Sequence, residues 1–463
     1  MKKNEALKDL KVAYIGGGSR GWAWGFMKDL AMDPDMEGLM RLYDIDKEAA
    51  ELNKIIGDKI SAHPKALSKW RYEVSDSLED ALQDVDFVVI SILPGTFDEM
   101  DSDVHAPEKY NIWQSVGDTA GPGGLVRSLR TVPMFVEIAE AIRAYSPEAW
   151  VINYTNPMAI CMRTLYHVHP EIKAFGCCHE VFGTQKLLAA MVEEMLGEKD
   201  VKRQDIDVNV LGVNHFTWLD KASYKNIDLF PLYREFSDKY YESGYTKGKA
   251  DNWINNSFDC SHRVKFDLFR RFGLIAAAGD RHLAEFMPNW YLKDPETVKA
   301  WGFGLTTVDY RKEDLKERIA KRDRLVSGKE EIKLEGSGEE GHLLMKAVLG
   351  MGNLVSNVNI PNVGQIPNLP EGCIVETNAL FRQDSIYPVS AGEIPDKVLT
   401  QVMPHALNQK LILEAALDCD FDKALVAFMN EPLVNLQPED AETLLTEMIR
   451  NTKKYLPEGW QDL

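Results

Sequence analysis

The sequence predicts an α/β fold, a Rossmann-type dinucleotide-binding unit fused to an α+β unit, and three observations carry that expectation. A short apolar strand, Lys11-Val12-Ala13-Tyr14-Ile15, runs into Gly16-Gly17-Gly18-Ser19-Arg20-Gly21 and then into a helix-like stretch from Trp22 to Ala31. A second strand, Arg41-Leu42-Tyr43, ends in an acid, Asp44. A later run from Phe87 to Leu93 is continuously apolar and stopped by Pro94-Gly95, the pattern of a strand buried on both faces. Strands that alternate with helical segments in this way build a parallel sheet.

The spacing Gly16-x-Gly18-x-x-Gly21 permits a tight turn, a close approach of backbone to a pyrophosphate and close helix packing, with the helix N-terminus aimed at the phosphates. Asp44 stands about where a ribose-binding acid is expected, and an acid there favours NAD over NADP. From Lys47 to Ile60 the apolar Leu52, Ile55, Ile56 and Ile60 share one helical face, as on a helix covering such a sheet. The stretch Gln114 to Gly124 is too glycine-rich for regular structure, and its length marks either a functional loop or a plain surface connection. Leu125 to Tyr145 reads as a long helix disturbed at Pro133, followed by a strand from Ala149 to Asn153 and the turn Tyr154-Thr155-Asn156-Pro157.

Two apolar runs, Ile172 to Phe175 and Val208 to Val213, deliver Cys178-His179-Glu180-Val181 and Asn214-His215 at points where strands end. If both belong to the parallel sheet, thiol and imidazole converge beyond its carboxyl edge. Cys with His suits a divalent transition metal and leaves coordination positions open for substrate oxygens. The same residues are also compatible with a small core thiol and a hydrogen-bonded turn. Further on, Gly279-Asp280-Arg281-His282-Leu283-Ala284-Glu285-Phe286 packs two acids, an arginine and a histidine into one short segment. Arg311 to Lys333 carries mixed charges at helical spacing and reads as a solvated helix without chemistry. Asn353 to Arg382 reads as short strands and Pro395 to Met448 as helices. The division expected is residues 1–204 for the nucleotide-binding unit with its Cys-His-Glu-Val motif, and 205–463 for the second unit, with the site between them.

At 463 residues the chain can bury large cores, and its 45% apolar and 27% charged content is that of a globular protein. A formal charge of −19 argues against nucleic acid or an anionic membrane as partner. The first ten residues lack the apolar core of a signal peptide and no apolar run reaches membrane-spanning length, so a cytoplasmic location is expected. Six scattered cysteines are too few for a disulfide framework and are expected as thiols.

With these motifs in order, the chain closely resembles glycoside hydrolase family 4, the NAD- and metal-dependent glycosidases, from end to end, and within it the bacterial α-galacturonidases. The resemblance rests on Gly16 to Gly21 with Asp44, on Thr155-Asn156-Pro157, on Cys178-His179-Glu180-Val181, on Asn214-His215 and on Gly279-Asp280. It implies a nucleotide domain like that of lactate and malate dehydrogenases, a manganese(II) ion (Mn2+) held by Cys178 and His215, and His179 as proton donor. It further implies that Asn156 touches substrate and that Asp280 takes the C2 proton, where phosphosugar members carry a Tyr. The implied route is redox: NAD takes hydride from C3, the C2 proton is removed, the aglycone is eliminated, water adds, and the hydride returns. A homo-oligomer, dimer or tetramer, also follows from the resemblance. If the substrate is an α-galacturonide, its buried carboxylate needs cations. Arg281, His282, Arg127 and Arg130 are the candidates, and Arg281 is preferred for its bidentate fork over a plain salt bridge to Glu285. Competing expectations are an α-galactosidase, α-glucosidase or α-glucuronidase of the same family, a net NAD-dependent sugar-acid dehydrogenase, or an NAD-sensing regulator.

Overall fold

A computed structural model describes the chain over residues 7–246 and 260–462. The first half builds the expected parallel sheet from β1 (Leu7–Ile15), β2 (Met36–Tyr43), β3 (Trp70–Val74), β4 (Phe87–Ile90), β5 (Trp150–Asn153) and β6 (Lys173–Gly176), in the order β6-β5-β4-β1-β2-β3. Strand periodicity explains why it is covered on both faces. Val12, Tyr14, Val89, Ile152 and Phe175 face one helical layer with Phe26, Met27 and Leu30. Their neighbours Ala13, Ile15, Val88, Ile90, Val151 and Ala174 face the other, with Phe135, Ile138 and Ile142. Strand order reverses on either side of β1, which pairs with β2 and with β4, and the carboxyl ends of that pair are where a parallel sheet of this kind takes its ligand.

A second, antiparallel sheet holds β7 (Ile206–Val213), β8 (Phe216–Tyr224), β9 (Ile227–Asp228) and β10 (Ile275–Ala276). The chain then returns to the first sheet. β11 (Leu354–Pro361), β12 (Ile374–Arg382) and β13 (Ser385–Pro388) extend it antiparallel beyond β6, making nine strands in all. Asn378 on β12 donates to the Val208 carbonyl of β7 at 2.7 Å, so the two sheets are tied together by a side chain. The C-terminal helices Asp396–Asp418, Phe421–Met429 and Pro438–Thr452 pack a large separate core with Trp218, Phe286 and Trp460.

Three details differ from the sequence reading. Gly121 to Gly124 are not loop but the first turn of the helix Gly121–Tyr145. Glycine is required there by crowding, because a Cβ at Gly124 would strike the Thr119 backbone, and not by flexibility. Arg130 is no carboxylate-binding candidate. It is fully buried, its guanidinium is paired with the equally buried Asp103, and its Nε donates to the Pro94 carbonyl at 3.0 Å. The helix Val308–Ser327 is largely solvated as its charges suggest, but Arg311 near its start turns inward and donates to the Val116 carbonyl at 3.0 Å.

The Arg130–Asp103 pair makes the fold testable. Arg130→Ala leaves a buried carboxylate unpaired and is expected to lower the unfolding free energy by about 3–5 kcal/mol in a urea titration. The double variant Arg130→Met with Asp103→Leu should recover most of that loss.

Candidate active site

The glycine turn is formed as its spacing requires. Gly16 takes φ +91°, a Cβ on it would collide with the Ser91 carbonyl of the neighbouring strand end, and the Gly16 and Gly17 N–H groups both donate to the Tyr43 carbonyl at 2.9 Å. At Gly18 a Cβ would stand 2.9 Å from the Asp44 carboxylate, which accepts the Gly18 N–H at 2.8 Å and the Asp46 N–H at 2.9 Å. Burial raises the Asp44 carboxyl above its ordinary value. Asn53, a residue the sequence reading passed over, pins the turn from beneath. Its amide donates to the Gly17 and Ser19 carbonyls at 2.7 and 2.9 Å and accepts the Trp24 indole N–H at 2.7 Å. Gly21 precedes the helix Trp22–Met32 with no side-chain cap, leaving the first-turn N–H groups uncovered by a cap residue.

Cys178 and His179 follow β6, as expected. His215 does not come from the parallel sheet. It stands in the two-residue turn between β7 and β8, in the left-handed region at φ +63°, which is uncommon for a residue other than glycine. Thiol and imidazole therefore arrive from two sheets, not from one carboxyl edge. The His215 Nδ1 lies 3.0 Å from the Thr119 hydroxyl, and its ring stacks on His282 with centroids 3.7 Å apart. Ligand atoms of Asp118, His215 and His282 all lie within 4.8 Å of one another. Cys178 is not part of that group; it is linked to it through Asn214, whose side chain favours the thiolate, and through the field of Glu180.

Glu180 is the common neighbour. Its carboxylate is 3.8 Å from His179 and 4.0 Å from His282, and it accepts the Gly279 N–H at 2.5 Å. Burial opposes its charge, but His282 and His179, with the Gly279 N–H, hold the carboxyl down to about 2. Burial drives His215 the other way for a base, to about 3, so it is a neutral imidazole with a lone pair to give. Burial likewise pushes the Cys178 thiol well up, with Glu376 and Glu180 adding to the effect. For His179 burial is outweighed by Glu339, whose carboxylate sits 2.9 Å from Nδ1 and lifts the imidazole to about 9.

A second metal-capable group, Cys260, His262 and Asp280, also falls within 4.8 Å. Its surroundings suit an anion better than a cation. Both Asp280 oxygens accept backbone N–H groups, from Val264 and Lys265 at 3.2 Å, at the start of the helix Arg263–Phe272, and the buried Lys265 ammonium is close by. Asp280 is fully buried, and burial raises it to about 6.

Asn156 and Arg127 meet: Arg127 Nε donates to the Asn156 carbonyl at 3.0 Å. Asn156 Oδ1, Arg127 Nη1 and Arg311 Nε are buried polar atoms without a hydrogen-bond partner, as groups meant for a ligand would be. Arg281 donates to the Thr306 hydroxyl at 2.6 Å, and its carbonyl accepts from the Ser115 hydroxyl at 2.5 Å. Glu285, one turn on, receives the Val116 and Gly117 N–H groups at 2.7 and 2.8 Å, and burial raises it to about 8. These bonds clamp the glycine-rich stretch so that Asp118 and Thr119 reach His215. Sequence spacing gave no sign of Asp118, Glu339 or Asn53 as site residues, because each meets its partner across long separations; only the unusual glycine content pointed at the segment carrying Asp118.

A dinucleotide-type cradle opening beside imidazoles, a thiol and carboxylates defines a nucleotide-dependent α/β enzyme. More particularly, the chain belongs to glycosyl hydrolase family 4. The family 4 glycosyl hydrolase model matches residues 11–194, and that family's C-terminal domain model matches residues 210–434. An α-galacturonidase of Lachnoclostridium phytofermentans is 61% identical over 99% of both chains. The crystal structure of lplD of Bacillus subtilis superposes with a TM-score of 0.91 at 52% identity, over 96% of this chain and 100% of that one. At 21% identity, a 6-phospho-α-glucosidase from gut microorganisms, solved in complex with NAD and Mn2+, shares the fold with a TM-score of 0.80 over 97% of this chain and 99% of its own.

The site's geometry yields a direct check on its metal chemistry. Cys178→Ser is expected to abolish manganese binding and turnover while leaving NAD affinity unchanged, since the two segments are separate; calorimetric titration with each ligand measures this.

Proposed function

We propose that this chain is an α-galacturonidase that hydrolyses galacturonate-bearing oligosaccharides derived from pectin, with NAD and manganese(II) as cofactors. The geometric observation that carries the reading is Trp22. It is the first helical residue after the nucleotide turn, and its ring centroid lies 6.1 Å from that of His179 and 5.5 Å from that of Tyr154, so the cradle and the Cys178-His179 strand end adjoin. The name of the L. phytofermentans relative supports the substrate, and the complex of the 6-phospho-α-glucosidase supports both cofactors. We take residues 1–204 as the nucleotide-binding unit and 205–463 as the second unit, a division supported by two family models that meet between residues 194 and 210.

The residues present fit both groups. At Gly16 and Gly18 only the lack of a Cβ lets the turn pack against Ser91 and Asp44, and Gly21 leads into a helix N-terminus without a side-chain cap. His215 has an unprotonated nitrogen to offer, and Cys178 can bind once ionised. When bound, NAD supplies reversible hydride exchange at a sugar carbon and manganese(II) supplies Lewis-acid polarisation of the adjacent oxygens. His179, kept protonated by Glu339, delivers a proton to the departing glycosidic oxygen. Asp280, raised by burial toward neutrality, is the base assigned to the C2 proton. Asn156 presents an unpartnered Oδ1 to a sugar hydroxyl, and Arg281 is assigned to the uronate carboxylate.

No helix among the described residues is long and apolar enough to cross a membrane. All six cysteines are free thiols, which supports a reducing, cytoplasmic setting, and the enzyme acts there as a homo-oligomer in this reading.

With NAD, manganese(II) and a galacturonide, sugar release is expected without net accumulation of NADH, and product formed in D₂O should carry deuterium at C2. Net NADH in step with product would make the chain a dehydrogenase. Asp280→Asn should slow turnover by about 10²- to 10⁴-fold, as for a lost general base. Arg281→Met should shrink the preference for a galacturonide over the matching galactoside; equal loss on both substrates would assign Arg281 to structure.

A further inference from the structure

Cys178 and His215 belong to different sheets, and one buried carboxyl connects them. Glu376 on β12 is 1% exposed. Register places it opposite Asn359 of β11, which in turn lies opposite Gly176, two residues before Cys178. Its Oε2 accepts the Asn214 side-chain amide at 3.0 Å, and Asn214 is the other residue of the turn that holds His215. Its Oε1 accepts the Asn357 amide at 2.7 Å, and that same amide reaches the Cys178 carbonyl at 3.5 Å. Each oxygen thus anchors one arm. A carboxylate can accept from both amides at once, whereas a neutral amide in its place would set an NH₂ against one of them.

We propose that Glu376 is a positioning residue for the metal centre: it ties the strand end carrying Cys178 and the turn carrying His215 to one carboxyl, and so sets the affinity of the site for manganese(II). This rests on the reading that Cys178 and His215 hold the metal. Partners that orient metal ligands typically matter by about 10- to 100-fold in affinity, which is the size of effect expected. The nucleotide turn is carried by other strands, and no bond joins it to this network among the described residues, so NAD binding should not respond.

The test uses the full-length enzyme and the variants Glu376→Gln, Asn357→Ala and Cys178→Ser. Free manganese(II) is followed by electron paramagnetic resonance during titration, and the thiolate-to-metal charge-transfer absorption is recorded in cobalt(II)-substituted enzyme. NAD affinity and thermal unfolding are measured alongside. Glu376→Gln is expected to bind manganese(II) about 10- to 100-fold more weakly and to lose charge-transfer intensity, with NAD affinity as in the wild type. Asn357→Ala, which cuts only the arm to Cys178, should show the same pattern more weakly, and it decides the matter if Glu376→Gln does not fold. Wild-type manganese affinity in the folded variants, together with its loss in Cys178→Ser, would overturn the role of Glu376 and leave the site reading standing. Wild-type affinity in Cys178→Ser would remove the site reading, and this role with it.

Discussion

The site depends on one close approach of backbone. β6 is the last strand of the parallel sheet, and it is covered on its outer side by β11 through the pairing of Gly176 with Asn359. A side chain at Gly176 would run into the Met158 sulfur and stand 3.1 Å from the Asn359 Cβ. Only glycine lets β11 close there, and Cys177 and Cys178 leave the sheet directly afterwards. Because β11 and β12 come from the far end of the chain, this one contact brings Asn357, Asn359 and Glu376 behind the Cys178 strand end. It also places Asn378 against β7, and so sets the second sheet with its His215 turn over the first. A larger residue at 176 would therefore alter more than one strand pair.

The second constraint is the clamp on the glycine-rich stretch. Glu285 takes two N–H groups from it, Ser115 donates to the Arg281 carbonyl, Thr306 donates its N–H to the Ser115 carbonyl at 2.8 Å, and Arg311 takes the Val116 carbonyl. A stretch with this many backbone bonds is not a mobile lid. Its glycines serve packing at 123, where a Cβ would come within 2.8 Å of both the Asp103 and Gly117 carbonyls, and a left-handed backbone at 117 and 121, each at φ +69°. The result is a rigid delivery of Asp118 and Thr119 to the imidazole pair.

Local features of the fold were legible because they rest on short-range physics. Strand, glycine turn, helix and acid follow one another within the first forty-four residues, and Val12 to Ile15, all buried, alternate between the two covered faces of the sheet. Cys178, His179 and Asn156 stand at strand ends that apolar runs announce. What stayed hidden is long-range. Nothing local says that Glu339 will meet His179, that Arg311 on a charged helix will turn inward, or that Arg130 will be consumed by Asp103 rather than by a ligand. The resemblance to the family supplied residue roles that spacing alone could not, yet it did not reveal that His215 sits in a hairpin turn of a separate sheet.

Charge explains how so many ionisable groups coexist in one buried cavity. Glu180 is held ionised at about 2, against its burial, by His282 and His179 and by the Gly279 N–H, and His179 is held protonated at about 9 by Glu339 and Glu180. Those two groups are each other's partners, so removing either would shift both. At His215 burial and the neighbouring His282 outweigh Glu180 and Asp118 and strip its proton, which leaves it a neutral donor atom where His179 is a proton carrier. In carboxyls outside the histidine cluster burial outweighs the N–H donors and cations nearby and they rise instead, Asp280 to about 6 and Glu285 to about 8. Environments that push chemically similar groups in opposite directions are how one cavity holds an acid, a base and a neutral ligand at a single pH. In this chain Glu180 stands on both sides of that sorting: it helps to lift His179 and is itself held down by it.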